Sequence, residues 1–172
     1  MINIKRNLTY NIALCGVMAS LAIVFGYVEH LIPLPFGIYG MKLGLPNLTV
    51  VIMLFAINRS TAFTINMTRI ILCSILFGTF TSFWYSLVGG ILSFIVMVIL
   101  KSTNRFSTIG ISICGAVTHN IGQIIVATII MKESRIIYIL PILLIVGTIT
   151  GALIGLIATP ILKTPIFKKQ NN

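Results

Sequence analysis

Apolar runs of membrane-crossing length, separated by short polar breaks, leave this chain few ways to fold. A helix needs about 20 apolar residues to cross the hydrocarbon of a bilayer. Six candidates fit, at 8–28, 43–57, 61–80, 82–100, 107–131 and 136–162, the second of them short. The breaks fall at Asn58-Arg59-Ser60, Thr81-Ser82, KSTNRFS (101–107) and KESR (132–135). Lipid offers no partner to an open strand edge or a bare loop, so such runs fold as helices. The predicted fold class is an all-α integral membrane protein, a six-transmembrane-helix bundle forming one domain over 1–172. Composition agrees: 8% of residues are charged, against roughly a quarter in a soluble domain. The first run is too long for the apolar core of a signal peptide. It ends in Val28-Glu29-His30 rather than small residues, so it reads as a retained span.

Twelve Lys and Arg face only two acidic residues. They stand singly or in pairs between apolar spans, a pattern that orients membrane segments and forms no stripe for nucleic acid. Six crossings put both termini on one side. With the N and C termini cytoplasmic, Lys5, Arg6, Arg59, Lys101, Arg105, Lys163, Lys168 and Lys169 lie inside. Lys42, Lys132 and Arg135 then lie outside, and Arg69 within the membrane. This arrangement obeys the positive-inside rule and predicts a multi-pass protein of the cell membrane, of the prokaryotic plasma-membrane kind. Residues 163–172, KTPIFKKQNN, read as a mobile basic tail. Trp84 and Tyr85 open the fourth span at the outer surface, where aromatic rings anchor at the interface. Tyr85 is also a candidate to line a ligand site. Cys15, Cys73 and Cys114 fall inside apolar spans without CxxC spacing, so they read as packing residues and predict no metal site.

The connection EHLIPLPFGIYGMKLGLPN (29–47) is of a different kind. Its three prolines and three glycines prevent a continuous helix. Yet Leu31, Ile32, Leu34, Phe36, Ile38 and Tyr39 are too apolar for a solvated loop. Irregular backbone at membrane depth persists only when buried in protein or lining a cavity. The expectation is a folded-in loop between helices 1 and 2, plugging the outer face. The alternative is an ordinary loop resting on headgroups.

Polar residues inside the spans mark the candidate site. Arg69 lies about 12 Å along the third span, where an arginine costs roughly 2.5–3.5 kcal/mol to insert. The chain has no aspartate, and both glutamates, Glu29 and Glu133, fall in the predicted outer segments. Arg69 is thus expected to be satisfied by backbone carbonyls, water or an anionic ligand, with Asn66 on its face. In GAVTHNIGQ (115–123), His119 and Gln123 are four apart and share a face, with Asn120 beside them. Counted from Ser107, they stand about 18 and about 24 Å deep. The expectation is a polar cavity shared with Arg69 beneath the plug and reachable from outside. The alternative is interhelical hydrogen bonding without a ligand, at about 0.6–1.7 kcal/mol per contact.

Catalysis finds little support. Gly110-Ile111-Ser112-Ile113-Cys114 nearly spells GxSxG, but on one helix Ser112 and His119 stand about 10.5 Å apart along the axis. Without aspartate there is no acidic cluster to hold magnesium on a diphosphate. No GxxxxGK[ST] loop is present to hold a nucleotide. The chain is expected to be no enzyme and to need no cofactor.

Several blocks together, KLGLPN (42–47), Arg69, LFG (76–78), SLVGG (86–90), SFIVM (93–97), GAVTHNIGQ (115–123), Pro141 and TGALIGL (150–156), resemble one family over about residues 8–160. It is called heptaprenyl diphosphate synthase component I, or Gx transporter. It is similar in turn to the S components of energy-coupling-factor (ECF) transporters, six-helix proteins that capture a micronutrient. Those rely on a separate T subunit and two cytosolic ATPases for energy. The resemblance implies a substrate-binding membrane subunit fed from outside, with the 29–47 loop as gate. It also implies docking to a T subunit through small residues on the first helix, here Cys15xxxAla19 or Gly16xxxSer20. Arg69 and Lys42 would then meet an anionic or carbonyl group, while Asn47, Asn66, His119, Asn120 and Gln123 hydrogen-bond the rest of a vitamin-like or isoprenoid/quinone-related precursor. The family's name implies an alternative, a non-catalytic membrane partner of a polyprenyl diphosphate synthase or quinone-linked redox system. A stand-alone carrier is the third possibility.

Overall fold

Polar residues at or near the breaks of the sequence become helix caps. Asn58 accepts from the Thr61 N–H at 2.7 Å, Thr79 from the Ser82 N–H at 3.2 Å, and Ser107 from the Gly110 N–H at 3.1 Å. Each side chain satisfies a donor that a helix start leaves open. In this computed structural model, which describes residues 2–31, 42 and 44–168, the helices are α1 (Ile2–Leu31), α2 (Asn47–Ala56), α3 (Arg59–Phe77), α4 (Phe80–Ser102), α5 (Thr108–Met131), α6 (Leu140–Leu162) and α7 (Pro165–Lys168). α5 ends where Lys132 turns left-handed, at φ 52°. A 3-10 turn at Ser134–Ile139 then leads into α6, whose Pro141 sits in the first turn, where a missing N–H goes unneeded. Five helices are long and apolar enough to cross a membrane, and the described residues contain no strand. The chain is an all-helical, multi-pass membrane protein.

Two elements depart from the sequence expectation. The second span, expected at 43–57, shortens to the ten residues of α2, about 15 Å long. Gly44, at φ 86°, and Pro46, without an N–H, force a turn where the apolar pattern suggested helix. α2 is therefore too short to cross a bilayer alone. α1 departs the other way and runs to Leu31, so Glu29 and His30 are helical rather than loop residues. The expected plug lies largely outside the described residues, at 32–41 and 43.

Small residues let the helices meet. An ideal Cβ on Gly122 of α5 would stand 2.7 Å from Gly89 Cα of α4, and one on Gly151 of α6 2.7 Å from Ile113 Cα of α5. Gly147, Gly151 and Gly155 form a small-xxx-small face, the device by which helices in lipid reach van der Waals contact. α2 is buried along nine of its ten residues, as an all-round apolar helix requires. Ile75, Ile129, Ile145 and Leu153 point outward, where lipid would meet them.

The bundle has two chemically distinct ends. Arg59, Lys101, Arg105 and Lys163 gather at the end where α3 and α5 begin and α2, α4 and α6 finish. There Lys101 Nζ donates to the Leu54 carbonyl, closing off the last turn of α2. A cavity of about 230 Å³ lies beside it, lined by Phe55, Ala56, Thr108, Thr159, Leu162, Lys163 and Phe167. Phe167 on α7 is buried and joins the core cluster around α2. The other end carries Lys132, Glu133 and Arg135.

Candidate functional site

α1 buries Met18, Ala22, Gly26 and Glu29, a spacing of four, four and three that forms one helical face. That face carries a carboxylate inward. Glu29 is 5% exposed, and its Oε1 accepts from the Gly44 N–H and, at 3.4 Å, from the Leu45 N–H. Two successive amides just ahead of α2 thus hold one carboxyl oxygen. Its Oε2 is buried and has no hydrogen-bond partner among the described residues. Gly44 makes this possible, since a Cβ there would lie 2.8 Å from Asn47 Nδ2.

Arg69 points from α3 toward the start of α2 and is 5% exposed. Its Nη2 donates to Asn47 Oδ1 at 2.7 Å and its Nε to Asn66 Oδ1 at 3.0 Å. Asn66 passes the chain on, donating from Nδ2 to the Gly90 carbonyl of α4 at 3.1 Å. Two neutral amide oxygens thus take part of the guanidinium's donor set. The placement of Glu29 outside is corrected, because its carboxylate sits inside, within electrostatic range of both Arg69 and Lys42.

Gln123 ties the loop down from α5. Its Oε1 accepts from the Lys42 N–H and its Nε2 donates to the Lys42 carbonyl, both at 2.9 Å. The side chain is fully buried and treats one loop residue as a strand would. Burial pushes the Lys42 ammonium below its ordinary pKa. Glu29 partly restores it, and Arg69 depresses it further.

His119 shares the Gln123 face and is 2% exposed. Its Cδ2 edge lies toward Gly44, where a Cβ would stand 3.9 Å away. Its Nδ1 edge lies against Gly89 of α4 and has no partner among the described residues.

Of the residues singled out by sequence, Lys42, Asn47, Asn66, Arg69, His119 and Gln123 therefore come together around the start of α2. Asn120 turns away, and its Nδ2 donates to the Leu143 carbonyl of α6 at 2.7 Å, as interhelical hydrogen bonding would have it. Tyr85 packs with Ile124, Ala127, Ile136 and Leu143, fully buried rather than at an interface, its hydroxyl unpartnered among the described residues. Trp84 is 39% exposed and packs edge-on against Phe80 and Phe83. On α1, Cys15 and Ala19 are half-buried. Gly16 and Ser20 face outward, with Ser20 Oγ donating back to the Gly16 carbonyl at 2.9 Å. The residue that sequence reasoning missed is Glu29, and the 18-22-26-29 stripe was the signal that would have found it.

A family model described as heptaprenyl diphosphate synthase component I matches residues 18–161. No curated protein and no solved structure matches the chain.

Proposed function

The chain belongs to the heptaprenyl diphosphate synthase component I family, and from that premise we propose that it is the substrate-binding, S-component-like subunit of an uptake system, energised by separate T and ATPase subunits. The observation that carries this reading is the burial of Glu29 and Arg69 together at the start of α2. Ionisable groups at membrane depth are costly and mark substrate pathways more often than they mark stability. Lys42, Asn47, Asn66, Arg69, His119 and Gln123 form the compartment, with Tyr85 and Asn120 in the layer behind. Its substrate is a small micronutrient or an isoprenoid/quinone-related precursor with a polar head. The end bearing Arg59, Lys101, Arg105 and Lys163 faces the cytoplasm, with both termini, in accord with the positive-inside rule. The outward Gly16 and Ser20, with Cys15 and Ala19 beside them, offer the T subunit its docking face. The protein itself performs no bond chemistry.

The family's own description favours a second reading, a non-catalytic membrane partner of a polyprenyl diphosphate synthase. One co-purification separates the two. The tagged chain, extracted gently from its native host, brings down ATPases and a T-type membrane subunit under the first reading. Recovery of a soluble prenyl synthase alone sinks it in favour of the second.

A further inference from the structure

Independently of the binding reading above, we infer that the cavity at the basic end of the bundle is a site for the phosphate head group of an anionic lipid, held by Lys163 and the first turn of α5. The cavity lies where the helices stop: Ala56 ends α2, Thr108 begins α5 and Leu162 ends α6, and all three line it. In a bilayer that is the level at which hydrocarbon gives way to head groups. At about 230 Å³ the cavity has room for roughly seven waters. A pocket that engulfs a drug-sized ligand needs roughly 300–1,000 Å³. The size suits a head group whose chains stay in the bilayer, with Phe55 and Leu162 as the apolar side of the site.

Charge selects the head group. Arg59, Lys101, Arg105 and Lys163 gather at this end, while the chain's only acidic side chains, Glu29 and Glu133, belong to the other. Lys101 is committed, since it donates to the Leu54 carbonyl and stands 5.0 Å from the centre of the Phe55 ring. Arg59 lies within electrostatic range of it. Lys163 and Thr108 line the cavity, and neither the ammonium nor the hydroxyl has a hydrogen-bond partner among the described residues. Ser107 holds the Gly110 and Ile111 N–H groups, which leaves the Thr108 and Ile109 amides as open donors of the first turn. The ends of α2 and α6 bring carbonyls to the same place, each helix end acting as about half a negative charge. Those carbonyls are largely answered within the protein. Met53 accepts from the Ile57 N–H, Leu54 from Lys101, Pro160 from the Lys163 N–H and Ile161 from Thr164. Full positive charges without a carboxylate outweigh what is left. A phosphate oxygen meets them with charge-assisted hydrogen bonds, whereas an amine head meets like charge.

The test uses the full chain in a neutral detergent, titrated with dioleoylphosphatidylglycerol or dioleoylphosphatidylcholine. The two lipids match in chains and differ in head-group charge, and bound lipid is counted by native mass spectrometry. Phosphatidylglycerol is expected to bind about tenfold or more tightly, the scale of one charge-assisted hydrogen bond. Lys163→Gln should remove that preference. Thr108→Leu, which narrows the cavity at unchanged charge, should remove it as well. Arg105→Gln, at the same end but outside the cavity lining, should leave it intact. Equal losses in Lys163→Gln and Arg105→Gln overturn the site in favour of diffuse attraction between a basic surface and acidic lipid. A preference that survives Thr108→Leu overturns its placement in the cavity. Displacement of phosphatidylglycerol by millimolar inorganic phosphate overturns the lipid as occupant. Lys163 is exposed and its side chain makes no hydrogen bond among the described residues, so Lys163→Gln should melt with the native chain. Should Thr108→Leu not fold, the contrast between Lys163→Gln and Arg105→Gln decides alone.

Discussion

Arg69 Nη2 donates to Asn47 Oδ1 across 2.7 Å, so the one arginine buried in α3 holds the first residue of α2. The guanidinium ties the start of α2 to α3. Arg69→Ala removes this bond and the one to Asn66, leaving two amide oxygens unpaired at depth. With hydrogen bonds to charged groups contributing about 1.5–3 kcal/mol each, the melting temperature in detergent should fall clearly. A double-mutant cycle with Asn47→Ala should return a coupling of about 0.5–3 kcal/mol. Additive losses would show that the bond does not join the two helices.

Gly44→Ala tests the turn that lets α2 begin where it does. The backbone there is at φ 86°, and a Cβ would stand 2.8 Å from Asn47 Nδ2. The left-handed conformation alone costs a non-glycine residue about 1–2 kcal/mol, and the clash adds to it. Faster hydrogen exchange at the Gly44 and Leu45 amides, which Glu29 now holds, is the expected readout. Unchanged protection would show that the turn tolerates a side chain.

Gln123→Glu is nearly isosteric and separates the two bonds to Lys42. A carboxylate still accepts from the Lys42 N–H but cannot donate to its carbonyl, which is left unpaired at a cost of about 1–3 kcal/mol. Stability should fall below that of the native chain. The loss should shrink at acid pH, where the introduced carboxyl group takes up a proton and regains a donor. A loss that stays constant with pH would show that the bond to the Lys42 carbonyl contributes nothing.

Much of the fold was legible because it is written in caps and periods. Asn58 and Ser107 sit at the polar breaks and cap the helices that follow, whereas Thr79 caps α4 two residues ahead of the break expected at Thr81-Ser82. His119 and Gln123 fall on one buried face, as spacing by four requires. The shortness of α2 was not legible, because LTVVIMLFA reads the same whether its helix crosses a bilayer or ends inside a protein. Glu29 was misplaced for a related reason: hydropathy marks where a span fades, not where its helix stops. Asn120 shows a further limit, since one residue of rotation turned its amide toward α6 instead of the compartment.

Lys42 gives a prediction with a definite sign. Its pKa in the folded chain lies below the ordinary lysine value, chiefly through burial. The cost of burying the charge is therefore complete below that folded pKa. It lifts as pH rises from there toward the unfolded value of about 10.4. Lys42→Met should raise the melting temperature at neutral pH, with the advantage narrowing as pH climbs through that window. A melting temperature lowered at neutral pH would mean that the ammonium is held by attraction rather than tolerated.

Two glycines make a matched pair. A Cβ on Gly151 would meet Ile113 Cα at 2.7 Å, whereas one on Gly16 meets nothing within 4 Å. Gly151→Ala should destabilise the bundle by roughly 1–3 kcal/mol, the usual penalty of overpacking. Gly16→Ala should leave it unmoved in thermal melts. Equal effects would mean that α5 and α6 do not meet as closely as described.

The ten-residue length of α2 has a consequence for biosynthesis. A segment of about 15 Å cannot partition stably into a bilayer by itself, and α2 is sheathed on nearly every side by the helices around it. It has to be carried in by α1 and α3 and held in a provisional state until α5 and α6 emerge from the ribosome to enclose it. Nascent chains halted after α3 should therefore expose α2 to insertion chaperones, and release from them should coincide with the synthesis of α6.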